Sequence, residues 1–347
     1  DVLNRLTAQT NTYGSGTTSF EAEITYSYLT SGTNTSCIVS QYTSIFNGNE
    51  SEYDYVYDDN GNITQISVNG VVKYRYQYDN IGQLIREDNA DTGKTYVNEY
   101  DDSGNILSKK LYSYTTAETP TGTPTVYEYT YGDTTWGDLL TGYQGHNITY
   151  DEIGNPISYY NNGTAYSYTW TQGRRLDTAS DGETYMTFTY DDNGVRIGKT
   201  VGSDVYTYNV EGTRILSESW GTNLLVYLYD DNGLPTGMQY RKTSYAEDVY
   251  DTFWFEKNLQ GDIIAIYSNA GVKLASYTYD AWGNFTVTYT NGGATTAAQY
   301  NPFTYRSYYY DDDLGLYYLN SRYYDSNTGR FINADVQMNF RLLGYNL

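Results

Sequence analysis

The pattern aromatic, x, Tyr, Asp, x, x, Gly, Asn or Gln, aliphatic recurs along most of this chain and constrains its fold more than any other feature. Good copies are Tyr55-Val56-Tyr57-Asp58-Asp59-Asn60-Gly61-Asn62-Ile63, Tyr76-Gln77-Tyr78-Asp79-Asn80-Ile81-Gly82-Gln83-Leu84 and Glu99-Tyr100-Asp101-Asp102-Ser103-Gly104-Asn105-Ile106. Others carry Tyr150-Asp151, Tyr190-Asp191, Tyr229-Asp230 and Tyr279-Asp280, and a degenerate one runs from Tyr168 through Trp170 to Gly173. Alternating aromatics belong on one face of a strand. An Asp followed three residues later by Gly suits a turn, because the carboxylate accepts backbone N–H bonds and Gly tolerates positive φ. A unit of about 21 residues then holds two strands of roughly 7 to 8 residues and two turns. The second turn is visible at Asn69-Gly70, Asp91-Thr92-Gly93, Asn161-Asn162-Gly163 and Asn291-Gly292-Gly293.

Consecutive units predict an all-β ribbon of antiparallel hairpins with almost no helix, since no sustained 3.6-residue apolar period exists. Its 46 tyrosines against 9 phenylalanines mean that much of the apolar area carries a hydroxyl needing a partner. Such a ribbon has no conventional core within one hairpin and must stack on its neighbours. The pattern lapses between about Thr115 and Asp138, where Pro120, Gly122 and Pro124 predict a long connection between coils, not a domain boundary. The segment from Asp1 to about Gly48 reads as a worn or truncated set of the same units.

Twenty Lys plus Arg against 42 Asp plus Glu leave a formal charge of −22, which argues against nucleic-acid and anionic-membrane partners. No run approaches the roughly 20 apolar residues of a membrane span, and any export signal is expected outside this chain. Cys37 is the one cysteine, which excludes an intramolecular disulfide and reads as a small buried apolar residue. His146 is equally alone.

From Phe253 onward the residues carry a second, ordered signature. It comprises Phe253-Trp254-Phe255-Glu256-Lys257-Asn258-Leu259-Gln260-Gly261-Asp262, then Asn301-Pro302-Phe303-Thr304-Tyr305-Arg306, Tyr309-Tyr310-Asp311, Gly315-Leu316-Tyr317-Tyr318-Leu319, Ser321-Arg322-Tyr323-Tyr324-Asp325 and Gly329-Arg330-Phe331-Ile332. With the repeats, this resembles the YD-repeat proteins: bacterial Rhs and wall-associated proteins, the C components of insecticidal toxin complexes, and teneurins. The resemblance implies a YD-repeat region over 1–252 and a segment over 253–347 like the Rhs repeat-associated core. It further implies a spiral sheet forming part of a hollow, secreted or surface-exposed shell around a C-terminal cargo polypeptide, often a toxin. The family's self-cleavage signature, Asp-Pro-x-Gly, is absent: Asp335 stands where its aspartate would be, followed by Val336. This segment is therefore expected not to cut itself.

Rival chemistry has little to stand on. The turn Asp58-Asp59-Asn60-Gly61-Asn62 is superficially similar to a calcium loop, but an EF-type loop needs an acid where this chain has Asn69. Asp311 and Asp325 could act as an acid/base pair only if the fold joined them, and read better as solvated turn acids. No nucleophile elbow, P-loop or metal-ligand cluster appears, so neither an enzyme nor a cofactor is expected. The remaining alternative is a carbohydrate-binding or adhesion module, in which tyrosines on an exposed face would stack on sugar rings.

Overall fold

The computed structural model describes residues 1–14, 19–31, 34–246 and 248–334. Regular structure is almost entirely antiparallel strand, and within each sheet every strand hydrogen-bonds to the next in sequence. Twelve strands, from Ala8–Tyr13 to His146–Asn147, make one sheet; fourteen, from Thr149–Tyr150 to Phe285–Tyr289, make a second. A third, of four short strands, is formed by Tyr309–Asp311, Leu316–Tyr318, Tyr323–Asp325 and Arg330–Phe331. Helix among the described residues is limited to the 3-10 turns Gly293–Thr295, Ala297–Tyr300 and Tyr305–Ser307.

The sheets curl so that residues far apart in sequence meet. The Tyr42 hydroxyl donates to the Lys257 carbonyl (2.8 Å), Asn47 Nδ2 to the Gly271 carbonyl (3.0 Å) and Asn89 Nδ2 to the Tyr279 carbonyl (2.8 Å). One core cluster joins Ile106, Tyr129 and Tyr159 to Leu274, Phe303, Leu316 and Tyr323. Stacking of coils thus supplies the burial that a single hairpin lacks.

Most repeats also contain a bulge; the copy at Tyr277 to Phe285 does not, since Thr278 pairs with Thr286 and Tyr279 with Phe285. Val56 pairs with Gln65, but the next pair is Tyr57 with Ile63, leaving Thr64 unmatched. The same slip falls at Gln77/Tyr78, Glu99/Tyr100, Thr149/Tyr150, Thr169/Trp170, Thr189/Tyr190, Leu228/Tyr229 and Glu256/Lys257. A bulge resets the alternation of side chains. The residue opposite the tyrosine and the residue three further on therefore face the same way, inward, as in the buried pairs Ile106/Lys109, Pro156/Tyr159, Arg196/Lys199 and Ile263/Ile266. The extra residues Leu107 and Ile157 are exposed.

The tyrosine hydroxyls find a repeated partner. The strand pair beyond Gln65 and Arg75 has no further matched residues, so the Ile63 carbonyl lacks a strand donor; the Tyr78 hydroxyl donates to it (2.9 Å). Tyr100 does this for Leu84 (2.8 Å), Tyr150 for Leu140 (2.7 Å), Tyr190 for Leu176 (2.9 Å) and Tyr279 for Ile263 (2.6 Å). In the degenerate copy Trp170 Nε1 serves the Pro156 carbonyl (2.6 Å). Each repeat's tyrosine thus satisfies a backbone group of the repeat before it.

Two expectations need correction. Cys37 is exposed, not buried, because strands Phe20–Ser31 and Asn34–Phe46 run past their outer neighbours: pairing with Asn49–Tyr57 begins only at Gln41, and pairing with Ala8–Tyr13 stops at Thr25. The stretch between Thr115 and Asp138 is not wholly connection, since Thr125–Thr130 is a strand paired with Ile106–Ser113. Its alternation Val126-Tyr127-Glu128-Tyr129 was the available signal. The first three strands join the ladder like the others, but their described connection, Asn47-Gly48, is a positive-φ turn without an Asp clamp.

Candidate functional site: the seam that seats the C-terminal sheet

The turn aspartates are spent locally. Asp58 Oδ1 accepts from the N–H groups of Asn60 (3.0 Å) and Asn62 (2.8 Å), and Oδ2 from Asn62 Nδ2 (2.9 Å), while Gly61 has φ 86°. These donors hold the Asp58 carboxyl below its usual range. Asp79, Asp101, Asp151, Asp191, Asp230 and Asp280 each accept the same two backbone N–H bonds. A cation would have to displace those donors, and among the described residues no group of three or more His, Cys, Asp or Glu is arranged to hold a metal.

The chemistry of the inner face lies at the position three residues past the bulge partner. It carries Ile66, Ala179, Met238 and Ile266 in some repeats, but Glu87, Lys109, Tyr159, Lys199 and Glu218 in others, all buried. Every one of the polar five reaches a residue of the last repeat turn or the four-stranded sheet. Lys199 Nζ contacts Asp311 Oδ1 (2.7 Å) and Asp313 Oδ2 (2.5 Å). The Tyr309 hydroxyl donates to Glu218 Oε2 (2.6 Å), and the Tyr159 hydroxyl to Asp325 Oδ2 (2.9 Å). Lys109 Nζ donates to the Asn327 carbonyl (3.0 Å), and Glu87 Oε2 accepts from the Ala281 N–H (2.9 Å).

Arg196 completes the seam. It is 0% exposed, its Nη1 lies 2.5 Å from Asp311 Oδ2, and its Nε and Nη2 have no hydrogen-bond acceptor. The guanidinium instead faces the rings of Tyr318 (4.2 Å), Tyr208 (5.2 Å), Phe188 (5.6 Å) and Tyr309 (5.6 Å). Burial pushes the Asp311 carboxyl up, but Lys199 and Arg196 outweigh it and hold the group below its usual range. Elsewhere burial wins. Glu87 is pushed up to about 8 by burial and then by Asp280, despite the Ala281 N–H and Asn89. Asp280 is raised mainly by burial, as are Asp325 and Glu218, and burial lowers Lys109 although Asp280, Asp325 and Glu87 surround it.

Asp311 and Asp325 are therefore not solvated turn acids: both are 0% exposed, because their strands lie beneath the repeats, and they bind separate partners. Asp335 and Val336 lie outside the described residues. Arg196, Lys199, Glu218, Lys109 and Glu87 escaped sequence reading because strict alternation puts Arg196 and Lys199 on opposite faces. Only the bulge that recurs behind most of the Tyr-Asp pairs could have exposed the error.

Comparisons with known proteins agree with this architecture. Residues 57–94 match the RHS Repeat family. The chain is 31% identical over 261 residues to the tRNA3(Ser)-specific nuclease WapA of Bacillus spizizenii, and likewise to the tRNA nuclease WapA of Bacillus subtilis. Each match covers 74% of this chain and 10% of the relative, so the chain spans a small part of the proteins it matches. The double-stranded DNA deaminase toxin A of Burkholderia cenocepacia is 26% identical over 81% of this chain and 20% of its own length. Among solved structures, the Photorhabdus luminescens Tc holotoxin pore with a TccC3 variant superposes with TM-score 0.67 at 15% identity, over 91% of this chain and 17% of that one. The TcdB2-TccC3-TEV crystal structure gives 0.59 at 16% identity over the same shares. These two likenesses concern the fold.

Proposed function

Because this chain belongs to the RHS-repeat, or YD-repeat, family, we propose that it is a non-catalytic section of shell wall that encloses a polypeptide joined on its C-terminal side. The observation that carries this reading is the seam. The four-stranded sheet of residues 309–331 is clamped to the inner face of repeats more than 90 residues upstream by buried Arg196, Lys199, Glu218 and Tyr159. A chain leaving that sheet starts from inside the ribbon. The outer strand Ala8–Tyr13 pairs on one side only, with Phe20–Ser31, and its open edge suits a wall extended by flanking repeats. In the proposal the 253–347 segment is the anchoring part and 1–252 the coils around it. The cargo is a toxin, in keeping with the nuclease and deaminase names of the relatives, and the shell works outside the cell that makes it, at the surface or after secretion.

The glycan-binding alternative has less behind it. Among the described residues, only Tyr114, Tyr185, Tyr300 and Tyr308 of the tyrosines are exposed; the rest are at least partly buried. A sugar platform needs several open, coplanar rings.

The test uses the full natural product. Native size-exclusion is combined with intact mass under denaturing conditions and with limited proteolysis. A C-terminal portion that stays with the wall and resists protease until the wall is unfolded supports enclosure, whether or not the chain is cut. A C-terminal portion digested while the repeats stay intact refutes it and makes a glycan screen the next step.

A further inference from the structure

The polar residues of the inner face do more than seat the C-terminal sheet. Four of the inward positions three past the bulge hold charged residues that are buried, in a protein whose other copies of that position carry Ile, Ala, Met or Tyr without difficulty. An apolar contact there would hold the coils together, and replacing a buried ion pair by packed apolar groups is often neutral or stabilising. The distribution of sign is also informative. In a chain with 42 acids and 20 bases, Arg196 and Lys199 are buried where the C-terminal strand presents Asp311-Asp312-Asp313. Glu218 stands where that strand presents the Tyr309 hydroxyl. Each group is complemented from the opposite side, and each would be left desolvated and unpaired by a segment that lacked its partner.

We propose that Arg196, Lys199 and Glu218 are a selector. They admit a C-terminal segment with an aspartate at 311 and a hydroxyl at 309, and they reject one presenting apolar groups there, so wall and segment are a matched pair. The physical basis is rejection: specificity comes from the cost imposed on the wrong partner as much as from contacts to the right one. This inference needs only the seam, and it holds whatever the shell encloses.

Four versions of the present chain test it: wild type, Asp311→Leu, Arg196→Met with Lys199→Met, and all three substitutions together. Hydrogen exchange read by mass spectrometry over 309–325 reports seating, and exchange over 63–110, in the twelve-stranded sheet that carries none of the substituted residues, reports whether the rest of the fold survives. The selector predicts slow exchange over 309–325 in wild type and in the triple variant. Both mismatched versions should exchange there at least tenfold faster, with 63–110 unchanged. If the wall with both methionines protects the native segment as well as it protects the Asp311→Leu segment, nothing is being selected and the proposal fails. If all three variants lose protection over both regions, the cluster is ordinary core and the proposal fails again. A milder pair, Tyr309→Phe alone and with Glu218→Leu, provides a second reading. Protection should drop in the single variant and return in the double, and loss in both would overturn the role of Glu218.

Discussion

Lys199 and Glu87 occupy the same place in their repeats, three residues past the bulge, yet their surroundings differ in sign. Around Lys199 the cations are matched: Asp311 lies between Lys199 and Arg196, and they hold its carboxyl below the usual range. Around Glu87 acids are in excess. Glu87, Asp280 and Asp325 share Lys109, yet burial raises all three carboxyls, and Asp280 raises Glu87 further. One backbone position thus yields either a lock that needs its charges or a cluster strained by them. The difference is set by which residues the C-terminal sheet brings opposite.

Breaking the lock should have the largest effect. Asp311→Asn leaves Arg196 and Lys199 buried beside a neutral amide, and is expected to cost about 3–5 kcal/mol of stability, measured from the urea midpoint at pH 7. Asp311→Asn falling within experimental error of wild type would mean the pair is solvated in solution. Next is Gly283→Val, in the turn formed by Asp280. Besides forcing a branched residue to φ 93°, it places a Cβ 2.6 Å from the Tyr305 ring, so it should exceed Gly61→Val. At Gly61 nothing lies within 4 Å, and the cost is backbone strain alone, about 1–3 kcal/mol. Equal costs at the two glycines would show that Tyr305 yields freely.

pH separates the two regions by sign. Glu87 has a raised folded pKa, so its contribution is fully present below its unfolded value and is lost as pH rises through about 8. Glu87→Gln should therefore gain stability relative to wild type between about pH 5 and 9 and be near neutral at pH 4, as read by urea midpoints across that range. Asp311 has a depressed folded pKa, so its contribution is present above its unfolded value and is lost as pH falls through the folded one. The Asp311→Asn penalty should accordingly be constant from about pH 6 to 8 and shrink below about pH 4. Matching pH profiles for the two variants would erase the contrast between the two regions.

The smallest expected effects concern the tyrosine caps. Tyr78→Phe leaves the Ile63 carbonyl without its donor and should cost about 1 kcal/mol. Tyr100→Phe should cost less, because Asn98 Nδ2 also donates to the Leu84 carbonyl (2.8 Å). The order of the two unfolding midpoints is the check.

What could be read in the chain itself follows from local chemistry. An Asp whose carboxylate clamps N–H groups two and four residues on, a Gly at positive φ and alternating aromatics are all satisfied within one hairpin, so Asp58, Gly61 and their copies announce hairpins and register wherever they occur. The family signature from Phe253 to Ile332 was legible for the same reason, as a run of turns and aromatic strands. Tertiary structure alone decided what the inner face would be. The bulge turns Lys199 to the side of Arg196, and the curl of the sheets brings Asp311 to them from more than 110 residues away. A charge that looks fit for solvent in sequence becomes a buried partner only when its counter-charge is delivered from a distant strand, and no local pattern encodes that delivery.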